Sequence, residues 1–162
     1  MSRSAESPGE SLLLTWEWLS LYPGGRRLFM YLLGRRVPYT ATMGAEVVEF
    51  EPGHARVQLE DRKRVRNHLG SVHAIALANL GELATGLAVL GGMPNSARGI
   101  LTGIEMSYTK KARGLLTADA RCEIGKVTEA AEHVVEADIV DAKGDVVATA
   151  RAKWLLSPRP TG

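Results

Sequence analysis

Hydrophobic and polar positions change period twice along the chain, and the changes mark out its elements. Leu12, Leu13, Leu14, Trp16 and Trp18 suit a first helix, with Ser11 as candidate cap and Pro23-Gly24-Gly25 as the stop. A second amphipathic segment, RRLFMYLLGRR, ends at Pro38. From about Thr40 the period falls to two. Thr42 to Phe50 reads as a strand and Pro52-Gly53 as a turn. His54 to Glu60 reads as a second strand, with Ala55, Val57 and Leu59 on one face. After a basic run, Arg62 to Arg66, the pattern returns to a helix from Val72 to the Gly91-Gly92 pair. Four strands follow. Ile100, Thr102, Ile104, Met106 and Tyr108 define one alternating face, and Leu116, Ala118, Ala120, Cys122 and Ile124 another. Val135, Ala137 and Ile139 mark the third strand, and Val146 with the even positions through Leu156 the fourth, across a polar turn at Asp141 to Asp145. Two strands, a long buried helix and four strands make an α+β protein: a curved antiparallel sheet of about six strands wrapped around a central helix.

Within that helix one residue is out of place. Between Arg66 and Arg98 the only charged side chain is Glu82. Burying a carboxylate costs several kcal/mol unless it is paired, hydrogen-bonded or protonated. On a helical wheel at about 100° per residue, Ile75, Ala78, Asn79, Thr85, Gly86 and Val89 share its face, while Leu80, Leu83, Leu87, Ala76 and Ala84 lie on the face expected to pack on the sheet. Asn79, one turn earlier, is within side-chain reach of Glu82. A narrow stripe of small and polar residues admits a ligand or a second backbone, which makes Glu82 a candidate catalytic or ligand-binding carboxylate. The alternative is that Asn79 and Glu82 satisfy backbone groups of neighbouring loops.

Composition narrows the function classes. A chain of 162 residues is most economically one domain, with residues 1–38 as a polar tail and amphipathic helices, 39–158 as the main body and 159–162 as a short tail. A net charge of +2 with no basic stripe gives no reason to expect a nucleic-acid partner. The polar opening lacks the apolar core of a signal peptide. A single cysteine is compatible with a reducing cytoplasm, so a soluble cytoplasmic protein is the default. The basic ends of RRLFMYLLGRR also allow contact with a membrane surface, though a helix pair docked on the main body is the plainer reading. With one cysteine and scattered histidines there is no metal ligand set, and no GxSxG elbow or phosphate-binding glycine loop is present.

The segment before the helix adds to the candidate site. Asn67, Gly70 and His73 are spaced N-x-x-G-x-x-H, and the helix N-terminus offers free N–H groups for an oxyanion. Glu82 follows His73 by nine residues, which is about 13.5 Å of rise and half a rotation. The two parts therefore cannot meet at one substrate carbonyl within a single helix. If both act on one substrate, two subunits must lie antiparallel and share each site.

N-x-x-G-x-x-H with an acid nine residues later resembles the hotdog-fold acyl-CoA thioesterases of the PaaI-like branch, over about Tyr39 to Leu156. PYTATMGAEVVEFEPGHARVQL, VRNHLGSVHAIALANLGELA and MSYTKKARG, with the N-terminal helices, look closer still to an uncharacterised bacterial branch of that superfamily. The resemblance implies an acyl-CoA substrate, no metal or redox cofactor, and a homodimer or dimer of dimers. It places Glu82 as base or nucleophile, with Asn67 positioning the water or thioester. His73 would orient the carbonyl or fix the turn. N–H groups near Ala74 and Ile75 would form the oxyanion site beside the Gly70 turn; Asn79 and Thr85, on the Glu82 face, are candidate substrate contacts, though the Thr85 hydroxyl is equally explained by bonding back to its own helix. Lys110, Lys111 and Arg113 would meet the phosphates of coenzyme A or else form a solvated strand end, and Arg64 and Arg66 are weaker candidates of the same kind. One departure stands out: the branch has Gly-Gly after the histidine, and here Ala74-Ile75 takes that place. A protein that binds acyl-CoA without hydrolysing it is the alternative, and a structural dimer with a vestigial site is a third reading.

Overall fold

Six antiparallel strands curve around one long helix in the computed structural model, which describes residues 7–160. The elements are α1 (Pro8–Ser20), α2 (Gly25–Arg36), α3 (Pro38–Met43), β1 (Glu46–Glu51), β2 (His54–Glu60), α4 (Ala74–Gly92), β3 (Ala97–Tyr108), β4 (Leu115–Arg121), β5 (Ala131–Val140) and β6 (Val146–Pro158). A single 3-10 turn, Lys63–Val65, lies between β2 and α4. The strand order is β1-β2-β4-β5-β6-β3. This is the hotdog fold, in the order the periodicity predicts.

The alternation of β2, β4, β5 and β6 sends one face of each strand onto α4. Ala55, Val57, Leu59, Leu116, Ala118, Ala137, Ile139, Ala148 and Ala150 are all buried there. The many alanines let the helix approach closely. At Gly81 a Cβ would stand 2.3 Å from the Ala150 Cβ, so only glycine fits between α4 and β6. α4 is long and apolar enough to cross a membrane by composition, but its Leu80, Ala84 and Leu87 face fills the concave sheet.

Five expectations need correction. Ser7, not Ser11, caps α1, accepting the Glu10 N–H at 3.1 Å, and Pro8 occupies the first turn, where its missing N–H costs nothing. Part of the expected polar tail is therefore helix; residues 1–6 lie outside the described residues. The segment from Thr42 is not all strand: Pro38 starts a short helix that stops at Gly44 (φ 71), and β1 begins only at Glu46. Val146 is exposed, and it is Val147 that is buried at the start of β6. In β3 a bulge between Leu101 and Gly103 splits the expected face. Ile104, Met106 and Tyr108 pair with the inward Ala152, Ala150 and Ala148, while Ile100 pairs with Leu155 and is 63% exposed.

The N-terminal helices join the main body rather than hanging from it. Trp16 packs edge-on against Phe29 at 5.1 Å, and Phe29 against Phe50 of β1 at 6.3 Å, in one continuous core. The end of β6 is also held. The Arg159 N–H donates to the Ser96 carbonyl at 2.7 Å and its guanidinium to the Ala97 carbonyl at 2.9 Å.

Candidate active site

The loop that leads into α4 is tied down at every step. Arg66 donates to Asp61 at 2.6 Å, and this bond holds the Asp61 carboxyl below its ordinary value. The Asn67 side-chain oxygen accepts from the Leu69 N–H (2.9 Å), the Ser71 N–H (3.3 Å) and the Ser71 hydroxyl (3.2 Å). Gly70, at φ 66, closes the turn by donating its N–H to the Asn67 carbonyl at 3.2 Å. Arg113 clasps the same turn through the Gly70 and Leu69 carbonyls at 3.3 and 3.4 Å. Asn67, Gly70 and Arg113 thus build the loop together.

His73 caps α4. Its Nδ1 accepts the Ile75 N–H at 3.1 Å, which puts the proton of a neutral imidazole on Nε2. The Ile75 N–H is therefore occupied and is not a free oxyanion donor. Among the described residues the Ala74 and Ala76 N–H groups have no hydrogen-bond partner, so an oxyanion donor here would be one of these. Tyr108, not singled out as a site residue from the sequence, donates its hydroxyl to the Ala74 carbonyl at 3.0 Å and ties the end of β3 to the first turn of α4.

Glu82 points away from the Leu80 and Leu87 face. It is half-buried, and its carboxylate has no hydrogen bond or ion pair among the described residues. Burial alone raises its pKa above the ordinary 4.5. The stripe it heads is divided. Toward the N-terminus Ile75 is 58% exposed, and Ala78 and Asn79 are partly open. Toward the C-terminus Thr85, Gly86 and Val89 are closed over. The lid is Trp154 of β6, whose ring would lie 3.3 Å from a Cβ at Gly86. Substrate thus has no route to the Thr85 hydroxyl. No local pattern in the sequence pairs Trp154 with Gly86.

Asn79 does not reach Glu82; its side-chain oxygen accepts from Thr40 of α3 at 3.4 Å. It lines a cleft of about 230 Å³ with Tyr39, Met43, Arg64, His73 and Ile75. A second cleft, about 280 Å³, holds Asn67, Ser71, Ala74, Tyr108 and Lys111. Glu82 lines neither. Of the expected phosphate partners, Lys110 bridges Asp141 (2.8 Å) and Asp145 (2.6 Å), and these bonds raise its pKa. Arg66 is paired with Asp61, whereas Lys111 and Arg64 carry no ion pair among the described residues.

Several solved structures share this architecture. A structural-genomics protein matches at 29% identity and TM-score 0.79, over 91% of this chain and 98% of its own. A Pseudomonas aeruginosa protein of unknown function, named "Probable Thioesterase", matches at 24% identity and TM-score 0.72, over 85% and 97%. A mutant of the phenylacetic acid degradation protein PaaI from Thermus thermophilus matches at 22% and 0.62, over 73% and 97%. No protein of curated function matches the chain. A family model, described as a domain of unknown function (DUF4442), matches residues 25–156, and the chain belongs to that family.

Proposed function

We propose that the protein hydrolyses an acyl-CoA thioester, with Glu82 as the catalytic carboxylate and each site shared between two copies of the chain. The observation that carries this is the isolation of Glu82: a half-buried carboxylate, unpaired among the described residues, on the open side of an otherwise apolar helix. A structural carboxylate in such a place is normally hydrogen-bonded. A raised pKa suits a general base. In that role Glu82 takes a proton from water, the oxygen attacks the thioester carbon, and the developing oxyanion is held by free N–H groups at the start of α4. The C–S bond then breaks and the thiolate leaves, taking up a proton. The shared fold supports the reaction class.

The placement of Glu82 supports sharing. Glu82 borders neither cleft at the N-terminus of its own helix. The inner face of β3 carries Ile104 and Tyr108 in the open, on an edge strand whose outer backbone groups have no neighbour strand among the described residues. A second copy pairing there would cover that edge and bring a second α4 alongside.

A specific observation favours a binding module without turnover as the second reading. The Asn67 oxygen, the His73 Nδ1 and the Ile75 N–H are all engaged within the loop. Thiol release and equilibrium binding, measured across short, long and aromatic acyl-CoAs, separate the two. Turnover of at least one is expected. Saturable binding with no turnover of any would establish the binding module, and neither would reject both.

A further inference from the structure

Helices α1 and α2 bury one face each and leave a second apolar face in solvent. Leu12, Trp16 and Leu19 of α1 and Phe29 and Leu33 of α2 fill the core. On the outside of α1 stand Leu14, Trp18 and Leu21, at helical spacing, with Trp18 63% and Leu21 77% exposed. Trp18 packs against Tyr22, also exposed, with ring centroids 5.6 Å apart and planes tilted by 59°. On α2 the outward stripe is Leu28, Tyr31 and Leu32. Exposed large side chains are ordinary when scattered; a run of them on two adjacent helices marks an interaction surface.

The charge around this surface is mixed on α1 and basic on α2: α1 carries Glu10, bonded to Asn95, and the exposed Glu17 beside Trp18. α2 carries Arg26, Arg27, Arg35 and Arg36 and no acidic residue. None of the four has an ion-pair partner among the described residues. Glu46 shares a cleft with Arg26 and Arg27, but the groove between α1 and α2 is edged by Arg35 and Arg36 with no acid on its walls. Two copies laid together α2 to α2 would set arginine against arginine, which disfavours self-association through that helix. Tryptophan and tyrosine beside leucine, rimmed by arginine, is the chemistry of a helix lying in the headgroup region of an anionic bilayer.

We propose that the outer faces of α1 and α2 form a docking surface for anionic lipid membranes. Trp18, Leu21, Leu28 and Leu32 enter the interface, and Arg35 and Arg36 contact lipid phosphates. The surface is independent of the hydrolytic reading. It continues toward the candidate site, because Tyr39, on the helix that follows α2, is 69% exposed and belongs to the cleft holding His73 and Asn79.

Flotation of the full chain with vesicles tests this, using phosphatidylcholine alone and phosphatidylcholine mixed with phosphatidylglycerol. Binding to the mixed vesicles and not to the neutral ones is expected. The double substitution Arg35→Gln, Arg36→Gln should weaken it about five-fold per arginine. Trp18→Ser with Leu21→Ser should abolish it, while Val134→Ser on β5 leaves it unchanged. Thermal melts of each variant confirm folding, and the single exchange Trp18→Tyr should retain binding if the double variant does not fold. Equal partitioning to both vesicles, no binding to either, or full binding by folded Trp18→Ser, Leu21→Ser would each overturn the proposal; the second outcome would turn attention to an acidic protein partner.

Discussion

The Trp154 indole N–H reaches the Thr85 hydroxyl at 3.4 Å, and that hydroxyl in turn donates to the Glu82 carbonyl at 3.1 Å. A strand of the sheet is thereby tied to the turn of α4 that presents the candidate carboxylate. Thr85→Val keeps the shape but leaves a buried indole N–H without an acceptor, at a cost of about 1–3 kcal/mol. The expected result is a melting temperature lower by several degrees with KM for acyl-CoA unchanged, since the hydroxyl is out of the substrate's reach. A raised KM at unchanged stability would put Thr85 in the binding site.

Replacing Glu82 should stabilise the protein. Burial raises its folded pKa above 4.5, so the native state binds this proton more tightly than the unfolded chain. Stability attributable to Glu82 is therefore greatest below 4.5 and declines as pH rises through the folded value. Glu82→Gln should melt higher than wild type at neutral pH, by about 2–4 °C for each kcal/mol relieved. The gap should close under acid conditions. Melts across the pH range check both the sign and the crossover.

For His73 the cap and the chemistry can be separated. His73→Ala removes the acceptor for the Ile75 N–H and should cost about 1 kcal/mol. Asparagine is a good capping residue with no imidazole, so His73→Asn should restore both the melting temperature and the thiol-release rate. A stable His73→Asn protein with lost turnover would instead give the ring a role at the substrate.

Assembly is the condition for a shared site. Analytical ultracentrifugation of the full chain should show a dimer or a pair of dimers. Ile104→Asp, which puts a charge on the inner face of the edge strand β3, should give monomers with little turnover. An active monomer would remove the need for a partner.

The sheet and its helix were legible because they rest on period alone. His54 to Glu60 alternates without interruption, and Glu82 is conspicuous in an apolar run because burying charge is expensive. What stayed hidden depends on single backbone events and on distance. Pro38 and Gly44 enclose a helix too short to show a period, and that helix draws Asn79 away from Glu82 through Thr40. One extra residue in β3 moves Ile100 to the opposite face from Ile104. Lys110 reads as a free cation at a strand end, but Asp141 and Asp145 become its partners only when the hairpin turn folds back beside it. The Trp154 lid on Gly86 joins residues far apart in the chain, which no local pattern reports.

In the proposed reaction everything turns on the Glu82 carboxylate. The most direct measurement compares the rate of thiol release by wild type and Glu82→Gln on the preferred acyl-CoA, with binding and folding measured on the same samples. Loss of a positioned general base predicts a rate lower by about 10²–10⁴-fold, with binding retained and the melting temperature raised. Equal rates from the two proteins would remove Glu82 from the chemistry.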